Sequence, residues 1–528
     1  MSYMMDNVSE MLHVERTGKI GGNINWNNGG QIRQFYAGKR ILLTGSTGFL
    51  GTGIVEKLLR TCLEIDKIYL IIRTRGKMTV EERMENYFRS PVFDVLQKEN
   101  PNFKSKIHIM QGDLQNANLG LSPEDYKLLT ENVNVIIHNA ADISFFARLS
   151  SILKTNSLGT KYMLDLAEKC TNLYAFVYVS SVYSQAHNDR IEEKCYTPPG
   201  DIRMVEDLIK ADEAIPNGFN KHTLRKILGK WVNTYTFSKA ITEGFVAEFA
   251  RRSTIPCAIY RPTLIMSSAK EPTPGLITHK TGVSGLTLVY SLGIMHCLPI
   301  RSDTIIDFVP IDMTVNSLLA CIWDLSTRKK SDGPQVYNYG SSHWKPFFNK
   351  VYHMLSIKRL EEYPLSNMYW YPFMIYTRHY YLFVILSVIF NIIPAAVYDF
   401  GCWIAGKKGR GLQLTLKIAQ FNSTLHCLFS YCWVVDVENT QNILVHMNKA
   451  DYEEFPFDLG KLDWDKFMYD FSLAMKTYLM KQSEDSIPAA RERFRKLRML
   501  YHRPENQSQG GYRVELEFPG CYFYMEWV

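Results

Sequence analysis

The sequence holds no CxxC pair and no cysteine–histidine cluster at zinc spacing, although ten cysteines are scattered from Cys62 to Cys521. That excludes a zinc framework or a redox dithiol. It leaves free thiols, most of them small core residues, in a reducing, cytosol-facing chain. No block of like charge occurs. A net charge of +7 over 528 residues is too weak and dispersed for nucleic acid, and it suits an anionic membrane surface or a phosphorylated substrate. No internal repeat is visible. The polar, Gly/Asn-rich stretch 1–35 lacks an apolar h-region, so it reads as a disordered tail and not as a signal peptide. What remains is 46% hydrophobic and 13% aromatic, enough for two or more folded domains with an ample core.

From Ala37 the pattern alternates. Strand-like runs at 40–44, 67–72, 106–110, 133–138, 175–180 and 258–261 are separated by helix-like stretches, which predicts a parallel, doubly wound α/β sheet. A last αβ stretch ends near Gly340, and the composition turns aromatic after Trp344. Residues 380–397 read YYLFVILSVIFNIIPAAV, 18 residues without a charge, at the lower limit for a membrane span. Asn391 and Pro394 need partners in lipid, and Lys407, Lys408 and Arg410 follow as a cytosolic flank. A span, another form of membrane contact and a buried helix all stay open. The basic stretch 491–503 carries Phe494, Leu497 and Leu500 at helical spacing and fits either a membrane surface or a helix docked on the core.

The chemistry starts at Thr44-Gly45-Ser46-Thr47-Gly48-Phe49-Leu50-Gly51, between the apolar run Ile41–Leu43 and a helix-like stretch. A strand, a tight glycine turn and a helix N-terminus make a pyrophosphate site. Gly45 permits the turn, Gly48 lets backbone approach the phosphates, and Gly51 lets helix pack on strand. Thr47 and Phe49 belong to the same cofactor loop. The second strand ends in Arg73-Thr74-Arg75, where an NAD-preferring site carries Asp or Glu, so the predicted cofactor is NADPH, its 2′-phosphate held by guanidinium groups. Asp113, just past the third strand, is placed to accept from the adenine amino group, or else is an ordinary turn aspartate.

Tyr235-Thr236-Phe237-Ser238-Lys239 puts a phenol and an amine on one helix face. An ammonium one turn away is expected to favour the phenolate and bring its pKa toward the working range. The same lysine can hold the nicotinamide ribose. Ser180-Ser181 closes the fifth strand at the ligand-binding edge, and Ser181 is favoured as a donor to a substrate oxygen beside the tyrosine. The stretch 191–231, between Ser181 and Tyr235, is either part of an acyl or CoA site or a surface elaboration.

Five motifs in order, TGSTGFLG at 44–51, YLIIR at 69–73, NTYTFSKA at 233–240, YRPT at 260–263 and EPTPG at 271–275, resemble the eukaryotic fatty acyl-CoA reductases of the extended short-chain dehydrogenase/reductase superfamily. The likeness implies a Rossmann-like NADPH-binding reductase domain over 37–343 behind a flexible tail at 1–36. It implies a smaller, mostly helical C-terminal domain over 344–469, followed by an extension at 470–528. It also implies reduction of a long-chain fatty acyl-CoA to a primary alcohol with two NADPH through a bound aldehyde, without metal. Tyr235, Lys239 and Ser181 would be catalytic, at a cytosol-facing membrane of the endoplasmic reticulum or peroxisome. A sterol or sugar dehydrogenase would share the glycine turn and Tyr-x-x-x-Lys but lack EPTPG and the C-terminal domain. An idle lipid-binding protein would not need Tyr235, Lys239 and Gly45 intact.

Overall fold

The computed structural model describes residues 29–74, 76, 78–280, 282–328, 332–429 and 433–501. Arg75 of the 2′-phosphate expectation and residues 1–28 of the tail lie outside the described residues.

Seven strands form one sheet: β1 (Arg40–Thr44), β2 (Lys67–Ile72), β3 (Ile107–Gln111), β4 (Val135–His138), β5 (Ala175–Val179), β6 (Cys257–Pro262) and β7 (Gln335–Tyr339). Their order is β7-β6-β5-β4-β1-β2-β3, and every neighbouring pair is parallel. This is the doubly wound arrangement, with the order reversing between β1 and β4. The central strands read as continuous apolar runs because helices cover both faces; β4 and β5 are buried at every position. β1 and β2 match the expected runs to the residue, and the ends of β3 to β6 differ by one or two residues, since apolar content alone does not locate the last ladder hydrogen bond.

Helix α1 (Gln31–Tyr36) precedes β1. The expected tail boundary at residue 36 therefore moves. Ile32 and Tyr36, one turn apart, are fully buried, and the Tyr36 hydroxyl donates to the Leu319 carbonyl at 3.0 Å. The Ile32 N–H donates to Asp451 Oδ1 at 2.8 Å. One apolar cluster runs from Ile32 through the sheet to Phe494, so the C-terminal helices share a core with the reductase fold. In the helix Ile487–Tyr501 the basic stretch is docked. Phe494 is buried, and Arg491 and Arg493 donate to the Glu362 and Met368 carbonyls.

Candidate active site

The switch point between β1 and β4 is where ligands bind in such a sheet, and the glycine turn leaves β1 there. Gly45 has φ +68°, and a side chain on it would meet Ala140 Cα at 2.7 Å. A Cβ on Gly51 would overlap the Gly45 carbonyl oxygen. Both positions need glycine, one for its backbone angle and one for close approach. The turn is clamped to β4: Thr44 Oγ1 accepts from the Asn139 and Ala140 N–H groups, both at 3.1 Å, and Asn139 Nδ2 donates to the Gly45 carbonyl at 3.3 Å. Helix α2 (Phe49–Thr61) then opens with Gly48 as its N-cap and no side-chain cap. The Ser46 hydroxyl beside it is buried without a protein partner. A helix N-terminus, a cradle that a Cβ would fill and an orphaned hydroxyl fit a dinucleotide pyrophosphate.

Arg73 is exposed at the end of β2. Sequence reading missed Arg83, whose guanidinium donates to the Arg73 carbonyl and to Thr47 Oγ1, joining the end of β2 to the glycine turn. Phe49 packs against His279, their rings 4.1 Å apart. Asp113 belongs to a turn: its Oδ1 accepts from Gln115 N–H at 3.0 Å.

Helix α3 (Thr234–Arg252) starts at Asn233, whose side chain and Thr236 form a reciprocal cap, and 14 of its 19 residues are buried. Tyr235 heads this helix, and the Ser181 side chain lies close enough to its phenol to favour the phenolate. Ser180 faces elsewhere. Its hydroxyl donates to Glu243 Oε1 at 2.5 Å, so only Ser181 stands beside the phenol. Lys239 Nζ donates to the Val179 carbonyl at 2.6 Å and lies 4.7 Å from the Tyr178 ring centre. Burial pushes its pKa down to about 7, with Glu243 opposing. Burial likewise pushes the Tyr235 phenol up to about 12, the Ser181 side chain opposing and Glu243 adding. The expectation that Lys239 lowers the Tyr235 pKa is therefore corrected for this state. The ammonium points at a backbone carbonyl, and desolvation dominates both groups.

Two further residues escaped sequence reading. Glu243, one turn past Lys239, accepts from Ser180, Ser184, Gln185 and Arg261. Burial raises its carboxyl, and the Arg261 guanidinium more than offsets that, so it lies below its ordinary value. Asn156, in a π-helical turn, donates to Ser238 Oγ at 2.8 Å and accepts from Asp142 N–H at 2.7 Å, fixing α3 against the loop after β4. An arginine inside the apolar strand CAIYRP was the available signal for the first, since a buried charge needs a partner. Asn156 left no such signal.

A family model described as "Male sterility protein" matches residues 43–318, and a second one of that description matches 390–482. Fatty acyl-CoA reductase 1 of Gallus gallus is 32% identical over 89% of this chain and 90% of its own length. The chain belongs to the fatty acyl-CoA reductase family. Fatty acyl-CoA reductase 1 of Homo sapiens is 31% identical over 89% of this reductase and 90% of its own length. The terminal R domain from the myxalamid PKS-NRPS biosynthetic pathway is 21% identical, with a TM-score of 0.55 over 89% of this chain and 97% of that domain; it shares the fold. This reductase is thus an oxidoreductase built on a nicotinamide-dinucleotide fold. Among the described residues one helix, running Tyr380–Ile404, is long and apolar enough to cross a membrane. Among the described residues no group of three or more His, Cys, Asp or Glu is arranged to hold a metal ion.

Proposed function

We propose that this reductase converts long-chain fatty acyl-CoA to the primary alcohol through an aldehyde that stays bound, using NADPH at a cytosol-facing membrane. The observation that carries the reading is that Tyr235 and Lys239 share the buried face of α3 beside Ser181 at the C-terminal edge of β5, with Lys239 bonded to the Val179 carbonyl of that strand. When bound, the nicotinamide supplies the hydride, and two such transfers take a thioester to an alcohol.

The chain's own part is electrostatic. The Tyr235 and Ser181 hydroxyls converge where a carbonyl oxygen gains charge, and a pair of fixed donors in a buried site stabilises that charge far better than water does. A phenol near 12 is fully protonated at neutral pH, so Tyr235 is an acid and delivers its proton to that oxygen. Lys239 near 7 divides between ammonium and amine. Reoriented from the Val179 carbonyl toward a ribose hydroxyl, its ammonium would lower the phenol barrier to proton release. Glu243 and Arg261 hold the Ser180 turn and α3 in register. Arg73 and Arg83 support NADPH over NADH. The apolar helix, its basic flank and free thiols at Cys62, Cys170 and Cys257 support a cytosol-facing membrane of the endoplasmic reticulum or peroxisome.

Incubation of the purified chain with NADPH and acyl-CoAs of graded length, followed by lipid analysis, tests this. Primary alcohol from palmitoyl-CoA is expected, with Tyr235→Phe losing about 10² to 10⁴ in rate. NADPH oxidation with a sterol and none with palmitoyl-CoA would reject the reading.

A further inference from the structure

Helix α4 (Tyr380–Ile404) runs unbroken through a π-helical turn at Val388–Ile392. Pro394 follows that turn as the second residue of the next α-helical segment. Helix α5 (Gly411–Phe429) returns beside it, its first N–H groups held by Asp399 at 2.7 and 2.9 Å. The hairpin has two faces. Phe383, Ser387 and Asn391, spaced by four, face the body and are buried. Tyr381, Ile385, Ile389, Ile393, Val397 and Trp403 face outward, from 48% to 84% exposed. Only 17% of the apolar window of α4 is buried, against the mostly buried state of a core helix.

Both helices are tied to one loop. Asn391 Oδ1 accepts from His296 N–H at 2.9 Å, and Asn422 Nδ2 donates toward the Cys297 carbonyl at 3.5 Å. From Asn391 to the end of α4 is about 20 Å at the helical rise, short of the roughly 30 Å hydrocarbon core. The tip beyond carries exposed Lys407, Lys408 and Arg410, which are costly in hydrocarbon and favourable beside phosphates. Exposed Tyr381, Tyr398 and Trp403 are residues of the membrane interface. The far side of α5 reaches the active site: Phe421 stacks on Phe145, rings 5.9 Å apart and 4° from parallel, and Phe145 lies 5.9 Å from the Tyr235 ring.

We propose that this hairpin lies in the headgroup–acyl boundary of an anionic phospholipid bilayer as an in-plane anchor, entering one leaflet without crossing, and that the acyl chain reaches Tyr235 from the bilayer along Phe421 and Phe145. The apolar stripe supplies the buried area and the basic tip meets lipid phosphates. A second copy of the chain would bring three more cations to the same tip, so charge favours lipid. The acyl route rests on the reductase reading above; the anchor does not.

Flotation of the full chain with phosphatidylcholine vesicles, with and without phosphatidylserine, tests the anchor. The wild type is expected to float, more with phosphatidylserine. Ile385→Glu/Ile389→Glu/Val397→Glu should float roughly tenfold less, and Lys407→Glu/Lys408→Glu should lose only the phosphatidylserine dependence. Both should keep wild-type turnover of a soluble short-chain acyl-CoA, which also shows that they fold. A stripe variant that floats like the wild type overturns the anchor, as does one whose flotation is unchanged while an oligomer dissociates. Lys408→Cys on vesicle-bound protein should react with an impermeant maleimide added outside; protection there means a span and overturns the in-plane placement. Phe421→Ala should raise KM for vesicle-borne palmitoyl-CoA and leave KM for NADPH unmoved; unchanged kinetics overturn the route. Absence of acyl-CoA turnover in every protein, wild type included, would strike the reductase reading and leave the flotation result standing.

Discussion

Glu243 and Arg261 meet through paired hydrogen bonds of 2.9 and 2.8 Å, both side chains almost fully buried. The carboxylate also takes the Ser180 hydroxyl, so one ion pair joins β6, α3 and the turn that presents Ser181. Removing one partner of such a pair strands the other charge, at about 3–5 kcal/mol. Glu243→Gln should lower stability by that order in denaturant unfolding. The Glu243 carboxyl is held below its unfolded value of 4.5, so its contribution is complete above that pH and is lost as pH falls through the lower folded value. The variant should lack that acid-side decline.

The two adjacent serines should separate cleanly. Ser181→Ala removes the hydroxyl beside the phenol, and kcat should fall about 10²-fold or more with NADPH binding intact. Ser180→Ala removes one of several donors to Glu243, so the loss should appear as about 1–3 kcal/mol of stability. Steady-state kinetics beside thermal melts check both. A reversed pattern would move the oxyanion role to Ser180.

Lys239 sets a pH limb. Burial brings it to about 7, so in the free enzyme the ammonium is lost as pH rises through neutrality. Because kcat/KM for NADPH reports groups of the free enzyme, it should fall above about pH 7, and Lys239→Arg should flatten that limb. The Tyr235 phenol near 12 contributes nothing in the same window. A flat wild-type profile between pH 6 and 9 would contradict the assignment.

Cofactor choice should rest on Arg83 as well as Arg73. Arg83 ties Thr47 of the glycine turn to the end of β2, beside the expected 2′-phosphate. A charge-assisted hydrogen bond contributes about 1.5–3 kcal/mol, so Arg83→Ala should raise KM for NADPH about 10- to 100-fold while KM for NADH stays near its original value. Equal losses for both cofactors would mean that Arg83 supports the turn only.

Much of this site is written locally. TGSTGFLG specifies its turn because Gly45 needs a positive φ and Gly51 needs contact without a Cβ. Tyr235 and Lys239 share a face because four residues make about one helical turn. The alternation of strand and helix patterns forecast the parallel sheet, and only strand ends moved. Arg83, Asn156, Phe145 and Phe421 were not legible. Each acts across a gap in sequence, such as the 275 residues between Phe145 and Phe421, and no short-range period records such a pairing.

The dinucleotide turn, the phenol–amine pair and the apolar run at 380–397 were legible in the chain because each is a contiguous local pattern of at most 18 residues. Only the packing of distant segments engaged Ser180 with Glu243, bonded Lys239 to the Val179 carbonyl, bound Asn391 to His296 and laid the apolar helix along the body. Those outcomes come from burial and hydrogen-bond satisfaction between distant segments. A desolvated ammonium or amide must find whichever partner the fold brings to it.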